Sequence, residues 1–181
     1  MLAGHFAVGL GLKSRYPSVP LVPILLAAEF PDLLLLLLQA IHWETLGDAS
    51  VRVLGAPVIV SAPFSHDLAM VAIYAGLTAS LGLLLMSSRW AVVLGLAVFS
   101  HILLDVPVLP AVIGVGGPWL PLHVGFDLYR RAPLAGWGLE MLVVLLGGGL
   151  YAGACTEDAR WRRWAAPVLL VAVQLAALGL R

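Results

Sequence analysis

The chain has 181 residues, 61% of them hydrophobic and 11% charged, with a mean hydropathy of +1.01. A soluble domain is about half apolar and a quarter charged, so this composition excludes an ordinary soluble fold and predicts an integral membrane protein. The formal net charge of zero argues against nucleic-acid binding and a polybasic membrane tail, and the single cysteine, Cys155, excludes an internal disulfide or a thiolate-rich metal site.

Leu2 to Leu12 is apolar but too short to span at about 1.5 Å per residue. It predicts a half-helix or re-entrant segment that contains His5 and stays in place instead of being cleaved as a leader. Residues 13–20 (KSRYPSVP) form a polar, proline-containing connection. Leu21 to Ile41 reads as the first span, interrupted by Glu29, Pro31 and Asp32. Residues 42–62 form a mixed loop with Glu44, Asp48 and Arg52, its 56–60 portion suited to the membrane interface.

His66 to Met86 reads as the second span and Trp90 to Leu109 as the third, joined by a tight turn at Ser87-Ser88-Arg89. Residues 111–133 are rich in Gly and Pro and carry Trp119, His123, Asp127, Arg130 and Arg131. Leu134 to Ala154 is the fourth span, 156–164 a basic connection, and Ala165 to Leu180 a fifth, slightly short span. The expected fold is therefore all-α: one polytopic bundle of about five transmembrane helices plus a short N-terminal half-helix, forming a single domain over 1–181. Gly147-Gly148-Gly149 suits close helix packing, and the tryptophans lie near span ends as an interfacial belt would.

Basic residues orient the bundle. Lys13, Arg15, Arg89, Arg160, Arg162 and Arg163 fall on one side, and Arg52, Arg130, Arg131 and Arg181 on the other. The majority side is cytoplasmic by the positive-inside rule, so the two longest loops, 42–65 and 111–133, face outwards.

That threading gathers the unusual polar residues. His101 and Asp105 are one helical turn apart on one face of an otherwise apolar span. An ionisable group at membrane depth costs at least a few kcal/mol unless it is paired or binds something. Asp32, His66, His123 and Glu140 fall in the same outward half, and His5 joins them if the N-terminal segment dips in from that side. Five separate segments thus carry His or carboxylate at similar depth.

Each residue also has a plainer explanation. His5 suits headgroup depth, Asp32 can cap a helix restarted at Pro31, and Asp67 can satisfy free N–H groups at a helix start. His101 and Asp105 can form a private interhelical pair. His123 can be a solvated loop histidine, and Glu140, after Gly136-Trp137-Gly138, can sit near water. Glu29 and Asp127 rank as outer partners at best, and His42 beside Trp43 reads as interfacial.

The favoured reading is a metal site with His5, Asp32, His66, His101, Asp105 and His123 as ligands and Glu140 or Asp67 as general base. Imidazole plus carboxylate without thiolate suits zinc first, and also iron or manganese. Bound zinc with an open position lowers the pKa of water toward 7, which suits hydrolysis. Neither a Gly-x-Ser-x-Gly elbow nor a His-Glu-x-x-His motif occurs, which disfavours serine hydrolase and zincin chemistry.

Gly4-His5, Phe30-Pro31-Asp32, Ser65-His66 and Ser100-His101-Ile102-Leu103-Leu104-Asp105 together give the chain its likeness to known sequences. In order and spacing it resembles the bacterial family described as predicted membrane-bound metal-dependent hydrolases, over roughly residues 1–110. It departs from that pattern at Ala62-Pro63-Phe64, where relatives carry His-Arg-Gly, and at Leu34, where a second aspartate is usual. A fainter analogy is to zinc-dependent phospholipases C, whose ligands run in a similar order. These resemblances imply a hydrolase of the bacterial cytoplasmic membrane acting from the extracytoplasmic side on a membrane lipid or amphiphilic ester or phosphoester, with Arg130 and Arg131 available to phosphate. The alternative expectation is a metal-ion or proton transporter or channel that uses the same cluster. A third is a structural role in which the polar groups merely join helices.

Overall fold

The computed structural model describes residues 2–46, 52–53, 56–57, 59–110, 113–116, 120, 122–154 and 160–179. Asp48, Trp119, Cys155 and residues 156–159 of the basic connection lie outside the described residues. In chain order the helices are α1 (Leu2–Arg15), α2 (Leu21–Ala28), α3 (Phe30–Ala40), α4 (Leu68–Leu85), α5 (Ser88–Val108), α6 (Leu128–Arg131), α7 (Pro133–Ala154) and α8 (Arg160–Gly179). The expected helical architecture is thus observed.

Among the described residues, three short antiparallel ladders decorate the two long loops. β1 (Thr45–Leu46) pairs with β4 (Ile59–Ser61), β2 (Arg52–Val53) with β3 (Ala56–Pro57), and β5 (Ile113–Gly114) with β6 (His123–Val124).

The expected number of spans is corrected. Helices α4, α5 and α7 are long and apolar enough to cross a membrane, which fits a membrane protein. The first expected span is two helices meeting at 55°, so it counts as a fourth crossing only if the bent pair is one span. Pro31 lies in the first turn of α3, where its missing N–H and its ring are tolerated at a helix start but not in a continuous helix. The fifth fails because α8 opens with Arg160, Arg162 and Arg163, which leaves a shorter apolar stretch, Arg163–Ala177.

Small residues bring the helices together where the core forms. Ala97, Val98 and Ile102 of α5 pack against Ile24, Ala27 and Ala28 of α2 and Val71 and Ala75 of α4. Ala3, Ala7 and Leu10 of α1 pack with Val144 of α7 and Leu170 of α8. Gly147 lets α7 touch the backbone of α1, since a Cβ there would run into the Ala7 carbonyl. Gly148 faces Pro167 of α8 in the same way at 3.0 Å, whereas Gly149 meets nothing within 4 Å. The outward faces carry exposed leucines such as Leu36, Leu37, Leu77, Leu84, Leu146 and Leu169, as helices in contact with lipid would.

Candidate metal centre

The site forms where α1, the α2–α3 break, the residues before α4 and the C-terminal half of α5 meet. On α5, His101 and Asp105 point to one side because they are four residues apart, and both are buried. The break brings Glu29 and Asp32 to the same place, Glu29 between the two helices and Asp32 in the first turn of α3. His66 arrives from the segment just before α4, and His5 from the buried face of α1.

Two rings have their orientation fixed from behind. A carbonyl can only accept, so His101 Nδ1 donates to the Ala28 carbonyl at 2.8 Å and leaves Nε2 facing the cluster. The Glu44 carboxylate accepts from the Phe64 and Ser65 backbone N–H groups at 2.7 and 2.8 Å and from the Ser65 hydroxyl at 2.5 Å. Ser65 Oγ, its proton committed to Glu44, accepts from His66 Nδ1 at 2.9 Å. Oriented imidazoles backed by carboxylate or carbonyl are how proteins prepare histidine as a metal ligand.

The Nε2 atoms of His66 and His101 lie 3.4 Å apart. Asp32 Oδ1 is 3.2 Å from His66 Nε2 and 3.6 Å from His101 Nε2. Asp105 Oδ2 is 3.5 and 3.3 Å from the same two atoms. Ligands held about 2.0–2.1 Å from a tetrahedral ion are about 3.3–3.4 Å from each other. Either carboxylate therefore completes, with the two nitrogens, a triad of the size that zinc requires.

His5 lies across the cluster, its ring 3.7 Å from that of His101 by centroids. Its Nε2 is 3.2 Å from Asp105 Oδ1, and its Nδ1 is 3.8 Å from Glu29 Oε1 and 4.0 Å from Asp32 Oδ2. Both His5 nitrogens and Glu29 Oε1 are buried without a hydrogen-bond partner. Orphaned buried donors and acceptors of this kind are expensive, and a bound cation relieves the cost. The residues present fit a metal: three groups, His5–His101–Asp105, Asp32–His66–His101 and His5–Glu29–Asp32, each have ligand atoms within 4.8 Å of one another.

Of the expected site residues, His5, Asp32, His66, His101 and Asp105 come together, and three stand elsewhere. His123 is exposed on β6, the outer strand of a ladder whose other strand, β5, is buried and pairs with it through Gly114. Asp67 caps α4, its Oδ1 accepting from Ala69 N–H at 2.9 Å and Met70 N–H at 3.0 Å. It also packs so closely on Gly114 that a Cβ at that glycine would overlap its carboxylate.

Glu140 of α7 is buried and accepts from Gly4 N–H at 3.2 Å, Gln174 Nε2 at 3.2 Å and the Tyr129 hydroxyl at 2.5 Å. Burial and the Glu140 carboxylate push the Tyr129 phenol upward, so it remains a donor. These bonds tie the first turn of α1, and with it His5, to α7 and α8. Asp127, in the left-handed conformation at φ 58, pairs with Arg130 at 2.7 Å and Arg131 at 3.9 Å.

Two participants are hard to see in the sequence. Glu29 reads as an outer partner there, yet the break turns it inward beside His5. Glu44 sits in a loop 21 residues from Ser65, with no periodic pattern linking the two. The Ser-His dipeptide is the sole local hint of its role. No known family model matches the chain, and neither a curated protein nor a solved structure does.

Proposed function

We propose that the chain is a membrane-embedded, metal-dependent hydrolase that acts on a lipid or other amphiphilic ester or phosphoester. The observation that carries this reading is the uneven exposure of the cluster. The His5, His66, His101 and Asp105 side chains keep 0–2% exposure, whereas that of Asp32 keeps 35%. A purely structural ion is enclosed on all sides, whereas a catalytic one keeps an open position.

A bound divalent ion, zinc by the donor chemistry with iron or manganese as alternatives, would supply Lewis acidity and an acidified water. His5, His66, His101, Asp32 and Asp105 would hold it. Glu44 through Ser65, and the Ala28 carbonyl, keep the His66 and His101 rings aimed inward. Asp32 stands at the mouth, where water and substrate enter, and the apolar walls of α2, α4 and α5 exclude bulk water elsewhere. Arg130 and Arg131, with side chains 74% and 73% exposed, offer free donors to a phosphate group. Lys13, Arg15 and Arg89 lie at the opposite helix ends, which supports a site facing the extracytoplasmic side of a bacterial cytoplasmic membrane. The resemblance of the His5, Pro31-Asp32, Ser65-His66 and His101/Asp105 elements to predicted membrane-bound metal-dependent hydrolases supports the same reaction class.

Transport by the same cluster needs polar groups leading away from it in both directions. Among the described residues, no buried polar or charged side chain falls in 77–99 or 145–154, the halves of α4, α5 and α7 on the basic side. Hydrolysis is therefore favoured. The test is turnover of a phospholipid and amphiphilic-ester panel by purified protein in nanodiscs, with and without chelator, beside a vesicle flux assay. Metal-dependent product formation that His101→Ala abolishes is expected. Metal or proton flux without turnover of any substrate overturns the reading.

A further inference from the structure

The two carboxyl oxygens of Asp32 face different sets of ligands. Oδ1 is turned to His66 Nε2 and His101 Nε2, at 3.2 and 3.6 Å. Oδ2 is turned to His5 Nδ1 at 4.0 Å, which in turn faces Glu29 Oε1 at 3.8 Å. Asp32–His66–His101 and His5–Glu29–Asp32 are thus two ligand triads that share one residue through opposite oxygens. Asp105 repeats the relation, with Oδ1 toward His5 and Oδ2 toward His66 and His101.

One ion cannot serve both triads. An ion on the His66–His101 side satisfies those two nitrogens and leaves His5 Nδ1 and Glu29 Oε1 orphaned, although both are buried. Carboxylates bridging a metal pair about 3.5–4 Å apart are a recurrent arrangement in hydrolytic sites.

We propose that the site binds two divalent ions, one on His66 and His101 and the other on His5 and Glu29, with Asp32 bridging them. The proposal rests on the metal-site reading above and adds a count and a second ligand set to it. Glu29 becomes a ligand, joining His5 of α1 on the second ion.

The experiment is a metal count on the full-length protein in nanodiscs. Chelator-stripped protein is titrated with Zn(II), the bound ion is quantified against protein by elemental analysis, and the measurement is repeated on Glu29→Gln and on His5→Asn. Two zinc ions per wild-type chain and one per chain in each variant is the expected result. One ion in the wild type, unchanged in both variants, overturns the two-ion proposal and leaves the metal site standing. No ion in any of the three overturns both. Mn(II)-loaded protein gives a second readout: an exchange-coupled paramagnetic spectrum in the wild type that becomes that of isolated ions in Glu29→Gln. Isolated-ion spectra in the wild type count against the bridge.

Discussion

His66 and His101 aim their Nε2 atoms at each other from 3.4 Å, and each ring is held there by a bond to its other nitrogen. His101 Nδ1 must carry a proton because its partner, the Ala28 carbonyl, has none to give. His66 Nδ1 carries one because the Ser65 hydroxyl proton is already spent on Glu44. In the neutral rings both Nε2 atoms then present lone pairs across a gap too short for water. Such an arrangement is repulsive unless one Nε2 takes up a proton or a cation lies beside the pair, and the Asp32 and Asp105 oxygens stand where they would complete that cation's coordination.

Removal of that cation should destabilise the fold. Ligand binding at about 1,000 times Kd stabilises a fold by about 4 kcal/mol. Chelation should therefore lower the unfolding temperature of the wild-type protein in nanodiscs. His101→Ala and Asp105→Asn should unfold at lower temperature from the start and show a smaller response to chelator. Differential scanning calorimetry with and without added zinc checks both points.

Ser65→Ala keeps every direct ligand but cuts the link from Glu44 to His66. Loss of a group that orients a metal-bound histidine typically costs about 10–100-fold in affinity. Competition with a chromogenic zinc chelator should show a loss in that range for Ser65→Ala, with Ser65→Thr close to wild type. Equal zinc affinity in all three proteins would mean that the Glu44–Ser65 link has no influence on the site.

Glu140 and Tyr129 should behave as an anchor for α1. Tyr129→Phe removes a buried hydroxyl donor and should cost about 1–3 kcal/mol in unfolding free energy. Glu140→Gln should destabilise the protein while leaving metal binding at His66 and His101 intact. A general base would behave in the opposite way, with Glu140→Gln losing turnover at full stability, so paired stability and activity measurements distinguish the two roles.

Two glycines two residues apart should respond with opposite signs. Gly147→Ala drives a methyl group into the Ala7 carbonyl and should destabilise by about 1–3 kcal/mol as α1 is pushed off α7. Gly149→Ala meets nothing within 4 Å and should stabilise the helix by about 0.5–1 kcal/mol. Because α1 carries His5, Gly147→Ala should also weaken metal binding, and Gly149→Ala should not.

The sequence made the ligands easier to find than their surroundings. His101 and Asp105 stand out because a charged pair four residues apart has no reason to occupy an apolar span unless it is used, and His5, Asp32 and His66 follow from threading. His123 and Glu140 share that calculated depth, but depth does not specify the direction in which a side chain points. His123 lies on β6, the exposed strand of its ladder, and the first-turn N–H of α1 engages Glu140. The break at Pro31 was visible, whereas its effect of turning Glu29 toward His5 depends on the 55° bend, which no local pattern encodes. The span count erred for a related reason: hydropathy measures apolar length, and α8 spends its first turn on arginines.

The most direct test is anomalous diffraction at the zinc edge from crystals grown in lipid with zinc present. A metal-holding cluster predicts an anomalous peak about 2.0–2.1 Å from both His66 Nε2 and His101 Nε2. A refined structure without such a peak, in which His66, His101, Asp32 and Asp105 bond only to one another, would show that protons and ion pairs alone hold the cluster and would contradict the metal-centre reading.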